Sequence, residues 1–238
     1  MTEYTSRAGR PAETAGVAEW TAHEWAFDTP LDVAVFRKAF CQQGRVEAIV
    51  KRGLDLVLSA LLLVILSPLV LIIAIVLAVH FRHNPLFAHE RVGQSAVLFS
   101  CLKFRTMRDP RPGEEDVKHP SFKAGTDVRT TRLSHWVRRM SLDELPQLLN
   151  VLMGDMSIVG PRPIVPEELR MYYGPMAPVL LISKPGMTGL WAAYGRSDIE
   201  YPDRAHIELS YVTRMSLWLD IRILVKTLFA VATGRGAL

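Results

Sequence analysis

LVLSALLLVILSPLVLIIAIVLAV, residues 56–79, contains only three positions that are not plainly apolar: Ser59, Ser67 and Pro68. At 1.5 Å per residue it makes roughly 36 Å of helix, enough to cross a hydrocarbon core of about 30 Å. Length alone therefore fits a straight transmembrane span. Two features favour a different path. Ser67-Pro68 falls at the midpoint, where a proline removes a backbone hydrogen bond and costs about 3 kcal/mol in a straight helix interior. The Ser67 hydroxyl is placed to turn back onto a freed carbonyl, so a break there need not leave it bare in lipid. Each half is then too short to span. The flanks are basic on both sides, with Lys51 and Arg52 before the run and His80, Arg82 and His83 after it, as suits two ends in the same compartment. The reading is a re-entrant hairpin broken at Ser67 and Pro68.

Working outward, residues 1–36 hold two arginines (Arg7, Arg10) against six carboxylates (Glu3, Glu13, Glu19, Glu24, Asp28, Asp32), a net charge of −4. The remainder then carries +8, for a whole-chain charge of +4. A basic body suits anionic partners such as phosphorylated ligands or lipid headgroups. No zinc-ligand spacing or aromatic–basic sheet signature points to nucleic acid. Cys41 and Cys101 are too few for a disulfide framework and read as reduced thiols. The chain divides into an acidic leader (1–46), the membrane helix (47–83) and a water-facing domain (84–238) with interfacial amphipathic helices.

Within that domain, Val97–Met107 is rich in strand formers, with Lys103 and Arg105 on one face if extended. Residues 108–127 read as a loop and Arg129–Met140 as a helix. Then comes Ser141-Leu142-Asp143-Glu144-Leu145-Pro146-Gln147-Leu148. Pro146 is best tolerated in a first helical turn, so a helix is predicted to begin near Asp143, its N-terminus keeping Asp143 and Glu144 ionised. An ionised pair suits phosphate chemistry, one group as nucleophile and one as magnesium ligand; a capping role is the plain alternative. Arg162 stands between Pro161 and Pro163, which holds it extended as a fork for phosphate oxygens. Lys184-Pro185-Gly186 is a second basic turn. Tyr211–Phe229 has helical spacing, with Arg214, Arg222 and Lys226 as a basic stripe that fits an interfacial helix carrying Trp218 at headgroup depth.

Together these segments resemble the bacterial sugar transferases, the monotopic phosphoglycosyl transferases that act on undecaprenyl phosphate. The resemblance runs from about Lys51 to Lys226. It rests on Lys51-Arg52 with Asp55, the Ser67-Pro68 break, Arg91-Val92-Gly93 and Lys103-Phe104-Arg105-Thr106-Met107. It continues through Arg138 ahead of Ser141–Leu148, Asn150–Ser157, Gly160-Pro161-Arg162-Pro163 and Lys184-Pro185-Gly186. The resemblance implies an α-dominated α+β protein, monotopic, with a small catalytic domain resting on the cytosolic face of the bacterial inner membrane. It implies that Asp143 attacks the sugar-bearing phosphate of a UDP-sugar, releasing UMP, and that undecaprenyl phosphate then takes the sugar phosphate from the carboxylate. Glu144 would hold Mg2+. Arg138, Arg162 and Pro163 would line the nucleotide phosphates, with Lys103, Arg105 and Arg91 adding to them, and Glu208 and Tyr211 would lie on the sugar side. Further expected partners are inner-leaflet lipid, a second copy of the chain and downstream glycosyltransferases. The product would begin an exopolysaccharide or other surface glycan; the sugar, galactose or glucose, is not readable.

The chain departs from the family's pattern at three places. Gln94-Ser95-Ala96 stands where an Asn-Gly-like turn is usual, Gly189-Leu190-Trp191-Ala192 replaces Gly-Trp-Ala-Gln, and Glu208 replaces an Asp three residues before Tyr211. Two other functions fit parts of the chain: a non-catalytic membrane scaffold for glycan enzymes, which leaves Asp143 and Glu144 idle, and a UDP-sugar phosphodiesterase that uses water as acceptor.

Overall fold

The computed structural model describes residues 45–109, 129–194 and 200–233. Nearly all of the acidic leader, Cys41 and most of the loop read over 108–127 lie outside them. Helix α1 runs from Arg45 to Phe81, with Pro68 inside it. Pro68 cannot donate to the carbonyl of Val64, and the Ser67 hydroxyl takes the place of that donor at 2.9 Å, as the sequence predicts. Among the described residues this is the helix long and apolar enough to cross a membrane by length and composition. Only 11% of its apolar window is buried. Val57, Val64, Ile65, Leu71, Ile72 and Val79 all face outward.

Both halves of α1 nevertheless touch the rest of the protein. Ahead of Ser67 the contacts are polar. Lys51 pairs with Asp220 and donates to the Val159 carbonyl at 3.1 Å. Arg52 donates to the carbonyls of Val151 and Leu152 at 2.7 and 3.1 Å. Asp55, buried, accepts from the Ile158 N–H at 3.0 Å and the Ser157 hydroxyl at 2.8 Å. Beyond Pro68 the contacts are apolar: Ile73 and Leu77 pack with Phe104, Leu142 and Leu145. The helix stops at Arg82, which takes a left-handed φ of 57°.

Strands β1 (Leu86–Val92) and β2 (Leu98–Phe104) form an antiparallel hairpin in which Arg91 faces Phe99 and Phe87 faces Lys103. The turn between them makes its geometry without Asn-Gly. Ser95 and Ala96 both adopt left-handed φ, 56° and 63°, at a cost of about 1–2 kcal/mol each. The Ser95 N–H on the Leu181 carbonyl (2.8 Å) and the Gln94 amide on that of Ile182 (2.7 Å) hold the turn in place.

Helix α2 (Arg132–Arg139) starts at a capping box between Thr131 and Ser134. Helix α3 (Gln147–Met153) ends at Gly154, φ 100°, where a side chain would be strained. Strand β3 (Ser157–Val159) runs parallel to β4 (Gly186–Thr188). A Cβ on Gly186 would lie 2.0 Å from the Gly160 nitrogen, and one on Gly189 would lie 2.1 Å from its oxygen. Glycine is the only residue that allows these backbones to meet, and the crossing fixes where the Pro161-Arg162-Pro163 segment leaves β3.

The predicted single helix over Tyr211–Phe229 is instead two, α4 (Asp203–Thr213) and α5 (Leu217–Thr233). Asp220, aimed inward at Lys51 and at the Tyr211 hydroxyl (2.8 Å), sets the direction of α5. Arg214 falls at the break, so the basic stripe shrinks to Arg222 and Lys226 on α5. Trp218 is exposed beneath Arg222, 5.0 Å from its ring centre. The main core joins Leu148 and Val151 of α3, Met156, Ile164, Tyr211 and Ile223. Among the described residues the architecture is helix-rich with two small two-stranded sheets and one long apolar helix, an α-dominated α+β arrangement.

Candidate active site

Asp143 and Glu144 do not open the helix that follows them. They occupy a single 3-10 turn, Leu142–Glu144, ahead of α3, which begins at Gln147 after Pro146. Ser141 is the reason. It takes a left-handed φ of 55°, which turns the chain sharply out of α2, and the next bonds are i to i+3, Glu144 N–H to Ser141 and Leu145 N–H to Leu142, both 3.3 Å. A non-glycine residue in this region is strain held by its surroundings, of the kind that collects at functional sites.

Without a helix end at Asp143, its carboxyl is not held low. Burial, and then the neighbouring charge of Glu144, push the Asp143 carboxyl up to about 6, against the pull of Lys103 and Arg138. Lys103 reaches across from β2 to donate to Glu144 Oε1 at 2.7 Å. Asn150 of α3 keeps that strand in register with the acidic turn. Its Oδ1 accepts from the Leu102 N–H (2.9 Å) and its Nδ2 donates to the Ser100 carbonyl (2.8 Å).

Glu144 and Lys103 open on a small cleft whose walls also include Arg91, Arg162 and Pro163. Motif reading had placed all five at the site. Gln147, Met187 and Trp191 complete the lining; Gln147 stands inside the Ser141–Leu148 motif, but neither it nor Met187 carries an expected role there. A polar residue inside the apolar run of α3 was the available signal for Gln147. Arg91 is pulled below its ordinary value by burial and by Arg162. For Arg162 burial acts downward, yet Glu168, Tyr201, Glu144 and Glu208 outweigh it and raise the guanidinium. A guanidinium starts so far above neutrality that either direction leaves it cationic at neutral pH. The Arg162 guanidinium lies 5.6 Å from the Trp191 ring centre, so the cleft presents arginine, lysine and indole groups beside one carboxylate.

Three predicted residues stand elsewhere. Arg105 does not share a face with Lys103 in the cleft, because β2 ends at Phe104; its guanidinium binds Asp109 at 2.8 Å and lies over Phe87. Tyr211 is 1% exposed, and its hydroxyl is spent on Asp220 and the Val159 carbonyl; it packs in the core, away from the cleft lining. Glu208 is equally buried and accepts from the Tyr173 hydroxyl at 2.7 Å. Burial, eased by Tyr173, Arg162 and Arg204, pushes its carboxyl up to about 7, and its Oε1 has no hydrogen-bond partner. It reaches the site only through the charge of Arg162. Arg138 lies between the two groups: its Nε donates to Thr106 at 2.9 Å, and its charge acts on Asp143.

Among the described residues no group of three or more His, Cys, Asp or Glu side chains could enclose a metal. The Asp143-Glu144 pair suits magnesium all the same. That ion keeps several waters and is commonly held by one or two carboxylates plus substrate phosphates.

The bacterial sugar transferase family model matches residues 46–234, and the chain belongs to that family. Relatives include the undecaprenyl-phosphate galactose phosphotransferase of Salmonella typhimurium, 43% identical over 79% of this chain and 41% of its own length. The exopolysaccharide production protein ExoY of Sinorhizobium fredii is 38% identical over 79% of this chain and 87% of its own length. The undecaprenyl-phosphate glucose phosphotransferase of Komagataeibacter xylinus is 36% identical over 75% of this chain and 35% of its own length. The chain spans about two fifths of the length of several of these relatives.

Proposed function

We propose that this protein transfers a sugar 1-phosphate from a UDP-sugar to undecaprenyl phosphate, yielding UMP and an undecaprenyl-diphosphate sugar that starts an exopolysaccharide or other surface glycan. The observation that carries this reading is a half-buried acidic pair: Glu144 meets Lys103 at a cleft edged by Arg91 and Arg162, and Asp143 lies beside it under the charges of Lys103 and Arg138. The names of the relatives supply the substrates.

In the first step an Asp143 carboxylate oxygen bonds to the phosphorus that carries the sugar, and the bond from that phosphorus to the bridging oxygen breaks. The bridging oxygen leaves with UMP, which departs as an anion and needs no proton. In the second step an oxygen of undecaprenyl phosphate takes the same phosphorus and returns the carboxylate. Arg162 and Arg91 hold the diphosphate against Coulomb repulsion, and Lys103 fixes Glu144 beside the nucleophile. Magnesium, held by Glu144, would offset the charge between carboxylate and diphosphate.

The fold fits one side of the inner membrane, the cytosolic face where UDP-sugars are made. Lys51, Arg52 and Asp55 before the proline, and Ile73 and Leu77 after it, contact the same folded unit, which supports a re-entrant rather than a spanning helix.

Covalent catalysis of this kind gives ping-pong kinetics. Enzyme mixed with UDP-sugar and magnesium alone should release UMP up to one equivalent before any lipid is added. Asp143→Asn should abolish both burst and turnover, and a chelator should do the same to the wild type. A rate law without a burst would remove the covalent step. Steady UMP release without lipid would mean water is the acceptor, the phosphodiesterase reading; no reaction with any UDP-sugar would leave the scaffold reading.

A further inference from the structure

Gln147 is 1% exposed and lines the cleft, yet its side-chain Nε2 has no hydrogen-bond partner. The indole Nε1 of Trp191, on the same cleft, is likewise buried and unpaired, as is Nε of Arg91. A buried donor left unmade is costly and uncommon, and several around one cavity call for a partner that enters it. All three are donors, so the partner presents acceptors. Neither Gln147 nor Trp191 figures in the transfer chemistry above.

We infer that the Gln147 amide and the Trp191 indole N–H are substrate-binding donors that grip the phosphate oxygens of the nucleoside diphosphate between Arg162 and Lys103. The inference rests on reading the cleft as the diphosphate site. The geometry is prearranged. Gln147 opens α3 three residues after Glu144's turn begins to close, so the amide rides on the same rigid helix start as the acidic pair. Trp191 is steadied by Arg162 at 5.6 Å over its ring and by Gly189, where a Cβ would come within 3.1 Å of the indole nitrogen. Neutral donors add direction without adding positive charge, so they orient an anionic phosphate that two arginines and a lysine already attract.

The test uses the full chain in detergent with UDP as probe, titrated calorimetrically with magnesium present. Gln147→Met keeps the volume and removes the donor, Gln147→Glu places an anion at that point, and Trp191→Phe keeps a ring without the N–H. Gln147→Met and Trp191→Phe should each weaken UDP about tenfold or more, with Gln147→Glu weaker still. The melting temperature should be unchanged or higher, since an unpaired buried donor has been removed; a purely structural role would lower it. UDP affinity within twofold of wild type in both donor deletions would overturn the inference. So would a loss seen with UDP-sugar but not with UDP, which would move the contact to the sugar. Failure of the wild type to transfer sugar phosphate to lipid would defeat the transfer reading alone, because the UDP titration still decides the donors; failure of the wild type to bind UDP would defeat both.

Discussion

On the mechanism proposed above Asp143 must be ionised to attack, and burial beside Glu144 raises its carboxyl to about 6. The acid form therefore takes over below that pH, and the UMP burst rate should fall about tenfold per pH unit there, levelling above roughly pH 7. Rapid-quench bursts across this range measure it, and a flat profile would mean the nucleophile is not this group. Lys103→Met removes a charge that holds the carboxyl down, so the acid limb should move to higher pH. Glu208 gives the opposite kind of pH effect, on stability. Its folded-state carboxyl is raised to about 7, above the unfolded value, so the fold binds the extra proton and is penalised as pH rises toward 7. Glu208→Gln should gain melting temperature over wild type as pH goes from about 5 to 8, with the gap closing at the acid end. A gap independent of pH would show that Glu208 is not held protonated.

At the scale of elements, α3 and β2 are joined through one side chain. Asn150→Ala strips partners from the Leu102 N–H and the Ser100 carbonyl and should cost about 2–4 kcal/mol, read as a lower denaturation midpoint. Because Lys103 sits on that strand, activity should fall further than stability alone explains. Much of this scale was legible in the sequence. Apolar run length and Ser67-Pro68 are local signals, and Ser67 bonds to Val64 as local chemistry dictates. The acidic pair, Arg91, Lys103, Arg162 and Pro163 stand in motifs whose residue types already state their chemistry. The remainder is set by tertiary contacts. Nothing local announces that Ser141 will turn left-handed, that Arg105 lies one residue past a strand end, or that Asp220 turns inward and splits the tail helix. Tyr211 and Gln147 are equally buried, and tertiary packing alone decides that one meets a core partner and the other lines the cleft.

For the whole molecule, contacts on both sides of Pro68 with one folded unit predict two ends in one compartment. With Cys41 replaced by Ser, Ala48→Cys and Asn84→Cys should be equally shielded from an impermeant thiol reagent added outside intact cells. Labelling at one position only would establish a straight span. Pro68→Ala should shift some molecules toward that state. The Lys51–Asp220 pair has a further consequence, for the order in which the protein is made. Its partners are 169 residues apart in the chain. At about 5–20 residues per second, the ribosome adds Asp220 on the order of ten to thirty seconds after Lys51. On the re-entrant reading proposed above, the apolar helix enters the bilayer within that interval, while its own cationic foot has no mate. Shallow entry, with Lys51 and Arg52 left among headgroups, is the arrangement that tolerates the wait. Translation of α5 then acts as the clasp, and a nascent chain released before it would stay anchored but unfastened.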